Sequence, residues 1–543
     1  MKQHRCITQR RVLRTALFTA TLAVLAFSTS ALAIEQSGEA KSMHRVGHVD
    51  LQGRPAYQPN FIDYPDGRVI AFIGTHGGSR PNPLKNGSPV EFNGTMIVDI
   101  TDPNKPVEKF HIPVPVSGGQ AQMARLCLGS QLPGGIAGHV YLIRNIQGSS
   151  AAGYQVYDVT DVEKPALVKS LTGIRSTHKL WWECNTGIAY MPGSKNAAPL
   201  WRQSQAMLIF DWSNPHNGLP PVYIRTFGLP GGQPGATGAV PNSLHGPISA
   251  HEHPQAAQKL TRGNSADDII GNRIYAAWGV GDDGVMTIID RKKLLPAAYG
   301  GTWVPGPGFL PGTTNADSPT EADLIGPNSP TVGYFLMSPD QGGHTSMPVF
   351  GLKPASYVNF TEFQTRDIVL LASESTSDRC EEAPHWSFIV DVTVENSMRF
   401  PPATRAALEH DPYHGPMVLS TMSVDPRAGE KYPRGNYCTR GARYGVHSSE
   451  ENFNNPFYGK LTFIAYFTGG VRVWDIREPQ APVEVGFYVP ESNANTDPDG
   501  YMTNNVEVDN RGFVLATDRN GSGLDIIQVM PPAIHIVFPP GKK

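Results

Sequence analysis

This sequence offers little to the chemistry of nucleic acids, nucleotides or the common hydrolases. Its 45 Lys and Arg are outnumbered by 48 Asp and Glu, for a net charge of −3. No basic stripe runs along it, and contact with a phosphate backbone needs one. No GxSxG elbow, HExxH pair, P-loop or dinucleotide fingerprint occurs. Asp282, Asp283 and Asp317 sit in loops, but no spaced Asp-x-Asp-x-Asp series marks a calcium loop. Cysteine is scarce, five in 543 residues, and none has the CxxC spacing of zinc or redox sites. Charged residues are only 17%, low for a helical protein. Beyond residue 33 no apolar run reaches spanning length.

What the chain does contain begins with an address. Lys2, Arg5, Arg10, Arg11 and Arg14 precede an apolar stretch from Ala16 to Phe27, and Ser30-Ala31-Leu32-Ala33 supplies small residues for cleavage. Residues 1–33 therefore read as a signal peptide, cut after Ala33, and the protein as periplasmic or secreted. Arg10-Arg11 also suits twin-arginine export, so the route stays open. Cys6 leaves with the leader. Cys127, Cys184, Cys380 and Cys438 remain in an oxidising compartment, where four cysteines allow three pairings.

Turn residues are abundant, with 56 Gly and 48 Pro. One phrase recurs: a β-branched run, an Asp, then a Pro-containing turn. It reads MIVDITDPNKPV at 96–107, YQVYDVTDVEKPALV at 154–168, MLIFDWSNP at 207–215, VMTIIDRKK at 285–293, FIVDVTVEN at 388–396 and VRVWDIREPQAPVEV at 471–485. A degenerate copy, LDIIQVM, lies at 524–530. Each alternates as a half-buried strand does, and its Asp is placed to cap the turn by accepting backbone N–H bonds. A second strand precedes every copy, from VIAFIG at 69–74 to GFVLATD at 512–518. Seven such units over residues 34–543 predict an all-β, single-domain, seven-bladed β-propeller. The last unit lacks its outer strand and MHRVGHVDL at 43–51 lacks a partner, so the N-terminal strand is expected to complete the last blade.

The phrases MIVDITDP, FIVDVT and VRVWDIREPQAP resemble the LVIVD repeat of bacterial exported propeller proteins, which implies the propeller fold over nearly the whole mature chain. A weaker likeness, in the Asp-x-x-x-Pro phrase, links it to the selenium-binding-protein and methanethiol-oxidase propellers.

In a propeller the innermost strands line a central pore, and their first residues share a face with the ends of the second strands. The inner strands are read at PAYQPNFID, QAQMARLCL, STHKLWWEC, GPISAHEHP, GGHTSMPVF, GVHSSEENF and MTNNVEVD. Four carry a histidine there: His178, His251 (or His253), His344 and His447. Gln58, Gln122 and Asn504 fill the other three places. His76, Glu374 and Asp518-Arg519 end second strands on the same face, and His385 approaches it. Neutral imidazoles suit Fe, Cu and Zn, and Glu252, Glu450 and Glu451 could orient their second nitrogens. The layout is similar to that of the carotenoid-cleavage oxygenases, propellers that hold iron with four axial histidines. His139, His216, His245, His410 and His414 fall outside these positions and read as surface or loop residues, and Trp181-Trp182 as blade core.

These residues support a metal-dependent enzyme, with Fe or Cu on His178, His251, His344 and His447. Glu374, Asp518 and Arg519 would be its acid–base or substrate-anchoring groups, and a small organic molecule its substrate. The alternative is a non-catalytic propeller that binds a partner protein or cell-envelope polymer; hydrolase or lactonase chemistry ranks below both. Cys380 and Cys438 approach the histidine face, while Cys127 and Cys184 lie at similar depth on neighbouring inner strands, which pairs 380 with 438 and 127 with 184. Insertions at 291–341 and 396–437 are expected to roof the pore mouth.

Overall fold

The computed structural model describes residues 39–195, 201–261, 263, 265–281, 283–304, 324, 329–353, 365–393 and 416–540. Residues 1–33, read above as a signal peptide, and much of both insertions lie outside them.

Local chemistry makes the strands. Each recurring phrase forms the third strand of a sheet, and its Asp holds the turn that follows. Asp99 accepts from the Thr101 N–H at 2.9 Å, Asp158 from Thr160 at 3.0 Å and Asp211 from Ser213 at 2.7 Å. Asp391 and Asp475 repeat the bond to Thr393 and Arg477. The residue after the Asp then donates its N–H to the start of the second strand, as Ile100 does to Val69 and Val159 to Val140. Most of these sheets also carry a register shift between the third and fourth strands, two residues before the Asp, as at Ile97/Val98 and Val156/Tyr157. Such bulges increase local twist.

Among the described residues, seven antiparallel blade sheets result, beside a two-stranded ribbon of Ser79–Pro81 and Val90–Phe92. The first blade runs Ala56–Asp63, Val69–Thr75, Gly94–Asp99 and Val107–Pro113. The second is Ala124–Leu128, Val140–Ile146, Gly153–Asp158 and Ala166–Thr172, and the third Trp181–Trp182, Ile188–Lys195, Ala206–Asp211 and Val222–Phe227. Leu244–Ser249, Arg273–Trp278, Val285–Asp290 and Thr331–Leu336 make the fourth, and Gly343–Leu352, Arg366–Ser373, Ser387–Asp391 and Met417–Met422 the fifth. The sixth contains Leu461–Ala465, Val471–Asp475 and Val483–Tyr488; its inner position is filled by 446–451, tied through His447 N–H to Ala465 at 2.9 Å. The seventh is Thr503–Val508, Phe513–Asp518, Leu524–Val529 and, outermost, Met43–Val49.

That last pairing is the expected closure: Met43 to Val49 lie antiparallel to Leu524–Val529. Closure goes one step further than the sequence reading, because Ala40–Lys41 also extends the sixth blade through Val483–Tyr488. Thr503–Val508 packs against both Leu461–Ala465 and Ala56–Asp63, so the sheets follow one another around a ring. Between blades the core is aliphatic and aromatic. Ile70, Phe72 and Ile97 meet Val140, Leu142 and Val159 between the first two, while Leu515 and Ile526 meet Ala71, Ile73 and Val98 between the last and first. Each such side chain, fully buried, contributes ~1.5–3 kcal/mol. Trp181 and Trp182 are core residues on opposite faces of their strand.

Both expected disulfides are present, Cys127–Cys184 and Cys380–Cys438. Much of what was expected to roof the pore lies outside the described residues, and only the flanks of the two insertions can be placed. Each begins after a third strand, at Asp290 and Asp391, and returns in a fourth, at Thr331 and Met417. Strand parity sends those flanks to the end of the pore opposite the histidines. The stretches after the fourth strands, 337–341 and that beyond Met422 with turns at Pro426–Lys431 and Tyr437–Thr439, return to the histidine end. Among the described residues no helix is long and apolar enough to cross a membrane.

Candidate metal centre on the pore axis

A common register builds the site. The first residue of an inner strand pairs with the last of the second strand: Ala56 with Thr75, Leu244 with Trp278, Gly343 with Ser373, Thr503 with Asp518. One step further on the inner strand stand Tyr57, His245, His344 and Asn504; one step beyond the second strand stand His76, Gly279, Glu374 and Arg519. His178 and His447 enter from the third and sixth blades, both buried.

Four imidazoles therefore meet as a row across the pore, but the fourth-blade member is His245, not His251. Ring centroids are 4.3 Å apart for His178 and His245, 3.9 Å for His245 and His344, and 4.2 Å for His344 and His447. His178 Nε2 lies 2.7 Å from His245 Nε2. Glu374 caps the row: its carboxylate is 3.8 Å from Nε2 of both His245 and His344 and 3.6 Å from Nε2 of His447. The ligand atoms of His245, His344 and Glu374 all lie within 4.8 Å of one another, and all three residues are buried.

The hydrogen bonds fix where one lone pair points. His447 Nδ1 is 2.5 Å from the carbonyl of Asn504, which can only accept, so Nδ1 carries the proton. Nε2 of His447 is then a bare lone pair, buried, without a hydrogen-bond partner and facing the Glu374 carboxylate. Two buried acceptors placed face to face call for a proton, a bridging water or a metal between them. Burial, with the positive charges of Arg519 and Lys179 nearby, pulls His447 well below the ordinary imidazole range and His178 down to about 3. Burial and the neighbouring imidazoles do the same to His245 and His344. All four rings are thus neutral donors at pH 7. Glu374 is pushed up by burial, against the pull of Arg519 and Arg443, and Arg443 Nη1 lies 3.3 Å from it.

The donor set fits a transition metal. At metal–ligand distances of about 2.1 Å, adjacent donors lie about 3.0–3.4 Å apart; the separations here run from 2.7 to 3.8 Å. Two imidazoles and a carboxylate on one face, with further nitrogens beside them, is a donor set of iron and copper sites.

The remaining residues singled out by sequence fall into two groups. His76, Gln122 and Asn504 belong to the rim of the site: Gln122 Nε2 is 2.8 Å from His76 Nδ1. Gly74 allows this contact, since a Cβ there would sit 1.9 Å from the Gln122 carbonyl oxygen. Tyr57, missed by the sequence reading in favour of Gln58, places its ring among His76, His178 and His447; Gln58 instead accepts from Asn505 at 2.5 Å. The others stand apart. His251 faces the carbonyl of Gly271 at 3.1 Å, and His253 packs against Phe350 and Phe453. Both follow Ser249, where the inner strand has ended. His385 lies behind the site on Ser373 Oγ at 2.7 Å. Asp518 spends its carboxylate on the N–H groups of Met502, Asn520 and Ser522, so it holds a loop, and only Arg519 is equivalent to Glu374. The carboxylates expected to orient the imidazoles do other work: Glu451 pairs with Lys179 and Arg125 in the pore beneath, Glu450 accepts from Phe463 N–H at 2.9 Å, and Glu252 from Asn185 N–H at 3.1 Å. The motif that would have found His245 is His followed by small residues, as in LHGP, GHTS and VHSS.

A cavity of about 320 Å³ reaches His245 between the third and fourth blades, walled by Ser204, Gln205, Val240, Pro241, Asn242, Ser243, Gly279 and Val280.

No protein-family model matches the chain, and no curated protein matches it. Among solved structures it is similar to the Dos1 propeller, at 8% identity over 90% of this chain and 96% of that one, with a TM-score of 0.38. A likeness at that level carries no argument, so the propeller rests on the seven blade sheets, and membership of the LVIVD-repeat family is not shown.

Proposed function

We propose that this chain is an exported, periplasmic, metal-dependent enzyme, holding iron or copper on the pore axis and acting on a small organic substrate. The observation that carries the reading is the bare His447 Nε2 facing the Glu374 carboxylate, with Nε2 of His344 and His245 beside it. His245, His344 and Glu374 hold the ion, and His178 and His447 complete the set. Bound there, the ion supplies a Lewis-acidic, redox-active centre. The chain does the rest. Arg443 keeps Glu374 turned toward the imidazoles, and the Lys179–Glu451–Arg125 network closes the pore below them. The cavity beside His245 admits a molecule of limited size, and the hydroxyls and amides of Ser204, Gln205, Asn242 and Ser243 can orient it. Arg519 offers a cation for an anionic substrate group.

The rival, a binding module whose imidazoles merely hold water, calls for ring nitrogens too far apart to share an ion. Here His178 and His245 approach to 2.7 Å, a hydrogen-bond distance that also leaves their nitrogens close enough to share an ion. Elemental analysis of purified and reconstituted protein tests this: about one equivalent of iron or copper is expected in the wild type, and a large loss in Glu374→Gln and in His344→Ala. Wild-type protein that stays far below one equivalent after reconstitution overturns the reading.

A further inference from the structure

Tyr57 holds on the first blade the register position that the fourth and fifth blades fill with His245 and His344. Its hydroxyl approaches the donor atoms of the site: Oη is 3.1 Å from Nε2 of His344 and 3.4 Å from Nε2 of His178. The ring is 2% exposed, and among the described residues its hydroxyl meets no carbonyl. Several other buried tyrosines of this propeller donate to backbone: Tyr64 to the carbonyl of Val159, Tyr154 to that of Pro192 and Tyr501 to that of Thr468. Tyr57 can donate its proton to one of these nitrogens and accept from the other, according to the ring tautomers. Both separations also match the spacing of neighbouring ligands on one ion, about 3.0–3.4 Å.

We propose that Tyr57 is itself a metal ligand, binding through Oη as the phenolate. The inference rests on the axial metal reading and adds to it a second anionic oxygen donor. On binding, the Tyr57 O–H bond breaks, an Oη–metal bond forms and the proton leaves to solvent; no electron is transferred. With the Glu374 carboxylate, the phenolate places two negative oxygens beside neutral imidazoles, a set that favours Fe(III) or Cu(II) over their reduced forms.

The experiment loads metal-free protein with Fe(III) and, separately, with Cu(II), then records metal content, visible absorption and resonance Raman spectra for wild type and Tyr57→Phe. The substitution removes one oxygen from a ring that otherwise keeps its packing, and a thermal melt verifies that the variant folds. Phenolate-to-metal charge transfer, with phenolate ring modes enhanced, is expected in wild type and absent from a Tyr57→Phe variant that still binds metal. A second readout is proton release on loading, larger by one per metal in wild type. Wild-type protein that binds a full equivalent with no phenolate signature, and a spectrum matching that of Tyr57→Phe, overturns the ligand role and leaves the axial site standing. Wild-type protein that binds neither ion overturns both.

Discussion

His447 shows most clearly what one residue can settle. Its Nδ1 is committed to a carbonyl, its Nε2 is left bare, and burial with two neighbouring cations keeps the ring neutral. Buried titratable groups of both kinds also govern stability. The axial imidazoles titrate below their unfolded value of about 6.5, so the stability they allow is complete above that pH and lost as pH falls. Glu450 and Glu507 run the other way: burial pushes each up to about 8, so their favourable contribution is present at low pH and lost as pH rises through about 8. Metal-free protein is therefore expected to be most stable near neutrality. Glu507→Gln should flatten the alkaline decline, by roughly 1.4 kcal/mol or more, and leave the acid decline in place. Urea unfolding across pH 4 to 9, roughly the span between these groups' titrations, checks this; matching alkaline limbs in variant and wild type would contradict it. At this scale the sequence was partly legible. His178, His344, His447 and Glu374 could be assigned to one end of the pore because strand periodicity sets which end they occupy, and they lie together there. His245 was passed over because the strand GPIS starts earlier than its apolar run suggests, and Tyr57 because a tyrosine beside Pro55 and Pro59 looks like any core aromatic.

At the scale of elements, the second and third strands of every blade were visible, since alternation and the Asp-capped turn are local signals. Inner strands were harder: they line a wet pore and mix polar with apolar residues, which blurs their starts. The flanks of the insertions were placed by expectation at the histidine end, whereas a third-to-fourth strand connection starts from the other end; the residues between those flanks lie outside the described ones. The pairing of Cys127 with Cys184 followed from depth along neighbouring inner strands and that of Cys380 with Cys438 from their shared approach to the histidine face, and both join segments that blade order brings together. Their sequence separations are 57 and 58, and closing loops of that length constrains the unfolded chain by about 4 kcal/mol. Replacing Cys127 and Cys184 together by Ser should lower unfolding free energy by an amount of that order, measured by denaturant titration. The same change at Cys380 and Cys438 should in addition weaken metal retention, because Arg379 and Arg443 flank that bridge beside Glu374. Equal metal retention in both double variants would contradict the second statement.

For the molecule as a whole, the ring explains why a site can be assembled from residues as distant as Tyr57 and His447. Seven blades of one register bring seven equivalent positions to one end of one pore, and the N-terminal strands close the last two sheets so that the spacing is held. The repeat made the architecture legible; the variety at those seven positions, which carries the chemistry, follows no repeat and had to be read from geometry. The most direct test is an anomalous-difference map at the iron or copper edge from crystals of metal-loaded protein. The account predicts one strong peak on the axis, bonded to Nε2 of His245 and His344 and to the Glu374 carboxylate. An axis without a peak, its imidazoles bridged by protons or water while metal binds elsewhere or not at all, would contradict it.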